Sequence, residues 1–342
     1  MTWPVPLDLE PMEAEPVAEL PAERGWAFEP KYDGFRCIAF RDADTVDLRS
    51  RRQRPLARFF PEVAATLQAL PVQCFVMDGE LVIEGAEFDT LQLRLHPAAS
   101  RIARLSREHP ATFVAFDLLA DAAGRSLLDE PFEIRRAALD ALFERIGGQA
   151  GVRLSAETRS SADARRWLAD IGHGLDGIVA KRLDLAYRPG RRAMLKYKVW
   201  HTIDCVVGGV YLKTGTPRIE YLLLGLYDEA GRLNYVGRCP PHRTNPDGTK
   251  LSGAEVDAAA TEALVGLLLG RGGFTGHAPG GPSRWSAHEK KAIPAEPRLV
   301  VEVSADHVTA GKFRHGSRLL RWRDDKDPRR CAMKQLESFT SI

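Results

Sequence analysis

No stretch of about 18 apolar residues occurs in the sequence, which excludes a membrane-spanning helix at the outset. The first residues, Met1-Thr2-Trp3-Pro4, run on into Asp8, Glu10, Glu13 and Glu15 and offer neither the basic nor the apolar region of a secretion signal; a cytoplasmic location with no membrane partner is expected. Cysteine is sparse. Cys37, Cys74, Cys205, Cys239 and Cys331 are odd in number, scattered and never spaced as Cys-x-x-Cys, so neither a disulfide framework nor a four-cysteine zinc site can be read. Cys239 and His242 have the spacing of a ligand pair, but no second pair answers them. Internal repeats and low-complexity tails are also missing. A net charge of only +2 is too small to mark a nucleic-acid binder by composition alone.

Lysine is the most informative shortage: 37 arginines carry the positive charge against 11 lysines. Arginine stays protonated, whereas lysine can lose its proton and act as a nucleophile, so the few lysines mark positions that arginine would serve badly. Arginine itself is unevenly spread. The segment Arg49 to Arg58 holds five, and Arg314 to Arg330 is rich in them; each could line a phosphate backbone or form a solvated face.

A chain of 342 residues with 44% hydrophobic residues has core enough for two domains. The pattern predicts strands over Phe35 to Phe40 and Thr45 to Arg49, with Lys31 in the loop Pro30-Lys31-Tyr32-Asp33-Gly34 ahead of them. Phe60, Val63, Leu67 and Leu70 recur at helical spacing. Strand-like runs at Cys74 to Met77 and Leu81 to Ile83 flank Asp78-Gly79-Glu80, and Phe113 to Leu119 is another such run. Pro131 opens a helix to about 146, and Ser160 with Asp163 marks the next helix start. Ile178 to Lys181 and Ala193 to Val199 read as strands. Beyond Trp200, five strand-like runs (Ile203 to Val210, Ile219 to Tyr227, Arg232 to Val236, Leu299 to Val303, Arg318 to Arg323) accompany one helix, capped by Ser252 and Glu255. That inventory suits a small barrel such as the OB-fold. The expected fold class is therefore α+β, with a mixed first domain over 1–200 and the barrel over 201–342.

Asp33-Gly34, Asp78-Gly79 and Asp176-Gly177 each read alone as hairpin turns. Their company matters more: Lys31 precedes the first, Glu80 follows the second, and Lys181 follows the third after an apolar strand. These parts suit transfer of a nucleotide through a lysine. A lysine nitrogen attacks phosphorus only when neutral, and burial beside other cations such as Lys181, Lys196 and Lys198 would favour that form. Basic side chains and Mg²⁺ would balance the triphosphate. Glu80 and Asp176 could hold metal or ribose, and Lys196 and Lys198, two apart on a strand, share one face. Asp117 reads as a buried turn former, and Phe116 alone would read as a core aromatic.

Glu29-Pro30-Lys31-Tyr32-Asp33-Gly34-Phe35-Arg36 resembles motif I (KxDGxR) of the covalent nucleotidyltransferases, which comprise DNA ligases, RNA ligases and capping enzymes. Ser50-Arg51-Arg52, Asp78-Gly79-Glu80, Phe113 to Leu119, Asp176 to Lys181, Lys196-Tyr197-Lys198 and Arg321 to Lys326 resemble motifs Ia, III, IIIa, IV, V and VI, in order. Seven ordered motifs spanning nearly the whole chain make the resemblance specific. It is closest to ATP-dependent DNA ligases of the stand-alone bacterial DNA ligase C type.

The resemblance implies a nucleotidyltransferase (ATP-grasp-like) adenylation domain followed by an OB-fold domain, hinged near 199 to 202. By it Lys31 accepts AMP, Glu29 lies against the adenine and Phe116 stacks on it. Arg36 and Arg51 bind ribose or phosphate, and Glu80 the ribose hydroxyls. Lys181, Lys196 and Lys198 neutralise phosphates, while Arg323, Asp325 and Lys326 close over the site to orient pyrophosphate. Arg191 or Arg192 adds a phosphate contact. Glu80 and Asp176 are the expected metal ligands, although Asp176 stands where the family more often has Glu and reaches one methylene less far.

ATP and Mg²⁺ are the expected cofactors, and the partner is nicked double-stranded DNA, all DNA or with ribonucleotides, sealed by a monomer in DNA repair. NAD as donor is disfavoured, since the NAD-using ligases carry an extra N-terminal domain and a four-cysteine zinc site. A GTP-using capping enzyme is the nearest rival. RNA ligation fits less well with a complete second domain, and a non-catalytic OB-fold binder would leave Lys31, Glu80 and Lys198 unexplained.

Overall fold

The computed structural model of the protein describes all residues except 1–2, 23, 87, 171–173, 199–200, 245–253, 281–290, 306–307, 315 and 340–342, and omits the side chains of 254–257, 309 and 338–339. The chain forms two compact units, Met1–Lys198 and Val199–Ile342. The expected hinge at 199–202 and the capping box of Ser252 with Glu255 fall wholly or partly outside the described residues.

Two sheets build the first unit. Strands β1 (Glu13–Val17), β2 (Trp26–Tyr32), β8 (Leu175–Arg182) and β9 (Arg192–Tyr197) form one, in the order β1-β9-β8-β2. Strands β3 (Phe35–Asp42), β4 (Thr45–Ser50), β5 (Cys74–Val82), β6 (Thr112–Ala120) and β7 (Val152–Leu154) form the other, in the order β4-β3-β5-β6-β7. Helices α1 (Pro61–Ala69), α2 (Phe88–Gln92), α3 (Ala99–Glu108), α4 (Phe132–Ile146) and α5 (Ser161–Ala164) complete the unit. Ser160 caps α5 by accepting from the Asp163 amide at 3.1 Å.

Strand alternation sorts the side chains into layers. Cys37, Ala39, Phe75 and Met77 join a core with Phe60, Leu67, Leu139 and Leu142, whereas Ile38, Phe40 and Val76 join another with Val5, Leu119, Tyr187 and Met194 from β9 and its flanking loop. On the four-stranded sheet, Phe28, Ile178 and Ala180 pack away from that layer, against Leu20 and Ala164.

Two local expectations are corrected. Cys74 to Ile83 is not two runs around a turn: β5 passes straight through Asp78-Gly79-Glu80. Gly79 is required there because an added Cβ would lie 2.5 Å from both the Phe113 ring and the Val114 carbonyl of the adjoining strand. Nor is Asp117 a turn former. It sits within β6, 1% exposed, and both its oxygens accept from Arg135 of α4 at 2.8 and 2.9 Å.

The second unit is an antiparallel sheet in the order β12-β11-β10-β14-β17, namely β10 (His201–Leu212), β11 (Ile219–Tyr227), β12 (Leu233–Cys239), β14 (Val300–Ala305) and β17 (Arg318–Trp322). The short β13 (Ile293–Pro294) also pairs with β10, and β15 (Val308–Thr309) pairs with β16 (Lys312–Phe313). Helix α6 spans Ala254–Gly266. From Ile203 to Tyr211 every residue of β10, the middle strand of the sheet, is buried, on both faces. Among the described residues, no helix is long and apolar enough to cross a membrane.

The Arg135–Asp117 pair yields a stability prediction. Arg135→Met strands a buried carboxylate and should cost about 3–5 kcal/mol in urea unfolding, whereas Arg135→Met combined with Asp117→Leu should recover most of that loss. Equal destabilisation by single and double variants would show that the charges are not coupled.

Candidate active site

The layer between the two sheets of the first unit is apolar at one end and polar at the other. Along β3 and β5 the same face that carries Phe40, Ile38 and Val76 continues as Arg36, Asp78 and Glu80. Opposite them, Glu29 and Lys31 of β2, Lys181 of β8 and Lys196 of β9 share the inward face of their sheet. There the sheets part to enclose a hollow of about 200 Å³, lined by Glu29, Lys31, Arg36, Arg51, Glu80, Phe116, Lys181 and Lys196. One water needs only about 10–15 Å³, so the space is of ligand size.

Lys31 is not in a loop, as the sequence pattern suggested, but on β2, paired with Gly177 of β8. A register shift follows it, between Lys31 and Tyr32. Gly177 adopts φ 138°, and an added Cβ would lie 2.1 Å from the Tyr197 carbonyl oxygen, so only glycine fits. Next to this irregularity Asp176 reaches Lys31: its Oδ2 accepts from Lys31 Nζ at 2.5 Å and lies 2.9 Å from Lys198 Nζ. Burial would raise the Asp176 pKa, but the two ammonium groups outweigh it and hold the carboxyl below its ordinary range. Lys196 shifts downward: burial lowers its pKa, and the charges of Lys31, Lys198, Arg192 and Arg51 act in the same direction. Burial pushes the Glu80 carboxyl up to about 7, with Lys31 and Arg36 pulling against it and Asp78 and Asp33 adding to it.

The deeper end is anchored by buried charge. Glu29 is 2% exposed; its Oε2 lies 2.7 Å from Lys181 Nζ and its Oε1 3.5 Å from Arg136 Nη1. Lys181 also donates to the Phe116 carbonyl at 2.8 Å and stands 4.7 Å from the centre of that ring. Arg36 lies over the same ring at 4.6 Å. Its Nε and Nη2 each donate to Asp78 at 2.6 Å, which leaves Nη1 as the nitrogen available to a ligand. Asp78, wholly buried, also accepts from Tyr187 at 2.6 Å, and the Tyr187 hydroxyl accepts the Met12 amide at 2.9 Å.

Of the residues picked from sequence, Lys31, Glu29, Arg36, Arg51, Glu80, Phe116, Lys181 and Lys196 meet at the hollow, with Asp176 and Lys198 joined to it through Lys31. Arg51 is largely exposed and pairs with Glu13 of β1. Arg192 approaches the same carboxylate at 3.9 Å, whereas Arg191 has no ion-pair partner among the described residues. Arg323, Asp325 and Lys326 belong to the second unit. There Arg323 and Lys326 donate to Asp204 of β10, at 3.0 and 2.6 Å, and Asp325 pairs with Arg323. Asp325 is held down to about 2, chiefly by its hydrogen bond to Arg323.

Sequence reasoning missed Arg136, Tyr187 and Asp204. A signal for Arg136 was present: it interrupts the apolar stripe of α4 that runs through Phe132, Leu139 and Ile146. Among the described residues no group of three or more His, Cys, Asp or Glu forms a metal cage. Cys37, Cys205, Cys239 and Cys331 are buried free thiols, and Cys74 is a partly buried one.

An amine on the wall of a hollow that also offers an aromatic ring, two carboxylates and several cations defines a site for a phosphorylated ligand bearing a flat base. Comparison with known proteins specifies it further. A family model described as the ATP dependent DNA ligase domain matches residues 11–198. The chain is 42% identical over 358 residues to DNA ligase C2 of Mycolicibacterium smegmatis, covering 99% of this chain and 97% of that one. It is 39% identical over 368 residues to DNA ligase C of Mycobacterium tuberculosis, covering 98% and 96%. A solved structure from a study of Lig E DNA ligases, 16% identical, matches 92% of this chain and 100% of its own with a TM-score of 0.56, which shows a shared fold. The chain belongs to the ATP-dependent DNA ligase family.

The Glu80 shift sets a pH dependence. Its folded value of about 7 lies above the ordinary 4.5, so the neutral carboxyl contributes stability below about 4.5 that is lost as pH rises through 7. Glu80→Gln, always neutral, should therefore gain stability relative to wild type between pH about 5 and about 8 in urea unfolding. A difference that does not change with pH would contradict the shift.

Proposed function

We propose that the protein is an ATP-dependent DNA ligase that seals nicks through AMP carried on Lys31. One observation carries this: the Lys31 amine opens onto a ligand-sized hollow that the phosphate-binding and base-binding side chains share. The first unit is then the adenylation domain. The second is read as an OB-fold, supported by its five-stranded antiparallel path with β10 buried on both faces.

Three displacements at phosphorus make up the reaction. The Lys31 lone pair attacks the α-phosphorus of ATP; an N–P bond forms, the P–O bond to the β-phosphate breaks, and pyrophosphate leaves with the electron pair. A 5′-phosphate oxygen at the nick next displaces the amine, making a P–O–P linkage and returning Lys31 to its unbonded state. The 3′-hydroxyl then attacks the 5′-phosphorus and AMP departs. A lysine amine is ordinarily almost wholly protonated near pH 7, so the first step needs the proton removed. Asp176 accepts from the Lys31 amine, so the first step also needs that contact broken.

Other roles follow from position. Phe116 offers a face to the base and Glu29 an acceptor at its edge. Glu80 suits the ribose hydroxyls, since a carboxyl near its midpoint can donate or accept. Arg36, through Nη1, and Lys181, Lys196 and Lys198 balance phosphate charge, with Arg51 at the mouth. Arg323, Asp325 and Lys326 are assigned to the departing pyrophosphate.

Mg²⁺ fits this donor set. Such an ion is usually held by one or two carboxylates and completed by substrate phosphates and water rather than by a protein cage, and Glu80 and Asp176 supply two carboxylates near Lys31. When bound, it would supply charge stabilisation at the phosphate oxygens.

Incubation with α-labelled ATP and Mg²⁺ should leave label on the denatured wild type that survives base and is released by acid, as an N–P bond requires, and the same enzyme should seal nicked DNA with ATP but not with NAD or GTP. Lys31→Arg, which keeps the charge but no nucleophile, should lose both activities to background. Label that persists in Lys31→Arg would exclude Lys31 as the acceptor.

A further inference from the structure

The base-binding end holds a group that the reaction scheme does not use. Arg136 of α4 is 7% exposed and gripped on every side: its Nη2 donates to the Ser155 carbonyl at 2.9 Å, its Nε to Asp140 at 2.8 Å, and Glu157 Oε2 lies 3.4 Å away. Its remaining nitrogen, Nη1, points at Glu29 Oε1 at 3.5 Å. Lys181 takes the other oxygen of that carboxylate. Glu29 thus has one cation per oxygen: Lys181, which also lines the hollow, and Arg136, which does not.

This matters because Glu29 is nearly dry. Burial raises its pKa, and only Lys181 and Arg136 oppose that, while the nearby Asp117 adds to it. Without Arg136, Oε1 would have no partner cation and the carboxyl would take up a proton more readily. The two protonation states read a base differently. A carboxylate only accepts hydrogen bonds, whereas a carboxylic acid can also donate one.

Glu29 lies two residues from Lys31 on the same face of β2, about 7 Å along the strand. With phosphorus at Lys31 and the base ring against Phe116, the edge of the base falls beside Glu29. Adenine presents an amine donor at that edge and hypoxanthine an oxo acceptor.

Resting on the adenylation reading above, we infer that Arg136 is a specificity-determining positioning residue, which keeps Glu29 charged and oriented so that the site takes a 6-amino purine nucleotide and rejects a 6-oxo one. It touches neither the nucleotide nor the reacting atoms; it acts through Glu29.

The test uses the full chain, Mg²⁺ and either ATP or ITP, with the nucleotidyl adduct measured on the intact protein by mass. R136Q removes the charge and keeps a polar group, while R136K keeps the charge. In R136Q the ITP-to-ATP ratio should rise about tenfold or more, because discrimination rests on an unmatched buried polar group. That rise should be smaller at the higher of two pH values, as Glu29 regains its charge. R136K keeps the charge but loses the fork that Ser155 and Asp140 hold, so its ratio should fall between those of wild type and R136Q.

Asp140, 45% exposed, offers a milder probe if R136Q does not fold: D140N loosens Arg136 from the solvent side and should move the ratio the same way by a smaller factor. ATP and ITP adducts that fall in equal proportion at both pH values, or a ratio that does not change in R136Q or D140N, would overturn the inference alone. A wild type that takes no adduct from ATP would overturn the adenylation reading and this inference with it.

Discussion

Asp176 accepts two lysine ammonium groups on one carboxylate oxygen, and the rest of the hollow is arranged around that contact. Lys31 lies on β2 and Lys198 just beyond the end of β9, and they would repel each other in a partly buried space without it. The contact depends on backbone, since the glycine at 177 and the register shift beside it let Asp176 reach the Lys31 side chain. The same hydrogen bond occupies the nitrogen proposed to attack phosphorus, so it must break before that step. Of the other cations at the hollow, Arg36 and Lys181 are already paired, with Asp78 and Glu29, whereas Lys196 is crowded by Lys31, Lys198, Arg192 and Arg51, a crowding that an arriving phosphate would relieve.

Carboxylates oppose those cations in a layered order. Asp78 holds Arg36 over Phe116, Glu29 takes Lys181 and Arg136, and Asp117 neutralises Arg135 behind the sheet. Helix α4 therefore acts as more than a packing element. Two adjacent arginines on its buried side supply counter-charges to two strands, one to Asp117 of β6 and one to Glu29 of β2. Buried pairs of this kind add little net stability relative to an apolar core, but removing one partner is costly, and they fix which way each carboxylate points.

Much of the site was legible because its chemistry is carried by short segments with rare residues. The scarcity of lysine made Lys31, Lys181, Lys196 and Lys198 stand out, and the ordered motifs placed them together before any contact was known. Apolar runs located most strands, including β3, β6 and β11, within a few residues. What was not legible depended on tertiary packing. Trp26–Tyr32 reads poorly as a strand because Glu29, Pro30 and Lys31 break its hydrophobicity, yet pairing with β8 holds it extended. Asp78-Gly79 reads as a turn because local preference cannot anticipate the close approach of Phe113. Asp204 gave no signal at all, since its partners Arg323 and Lys326 lie over a hundred residues away in sequence.

If the chain works as proposed, this hollow seats a nucleoside triphosphate with its α-phosphorus at Lys31. A crystal structure of the chain with the non-cleavable analogue α,β-methylene-ATP tests it most directly. The base should lie on Phe116 with its amine at Glu29, and Lys31 Nζ should have left Asp176 to stand within about 3.5 Å of the α-phosphorus, opposite the leaving group. A triphosphate bound elsewhere, with Lys31 still on Asp176, would contradict the account.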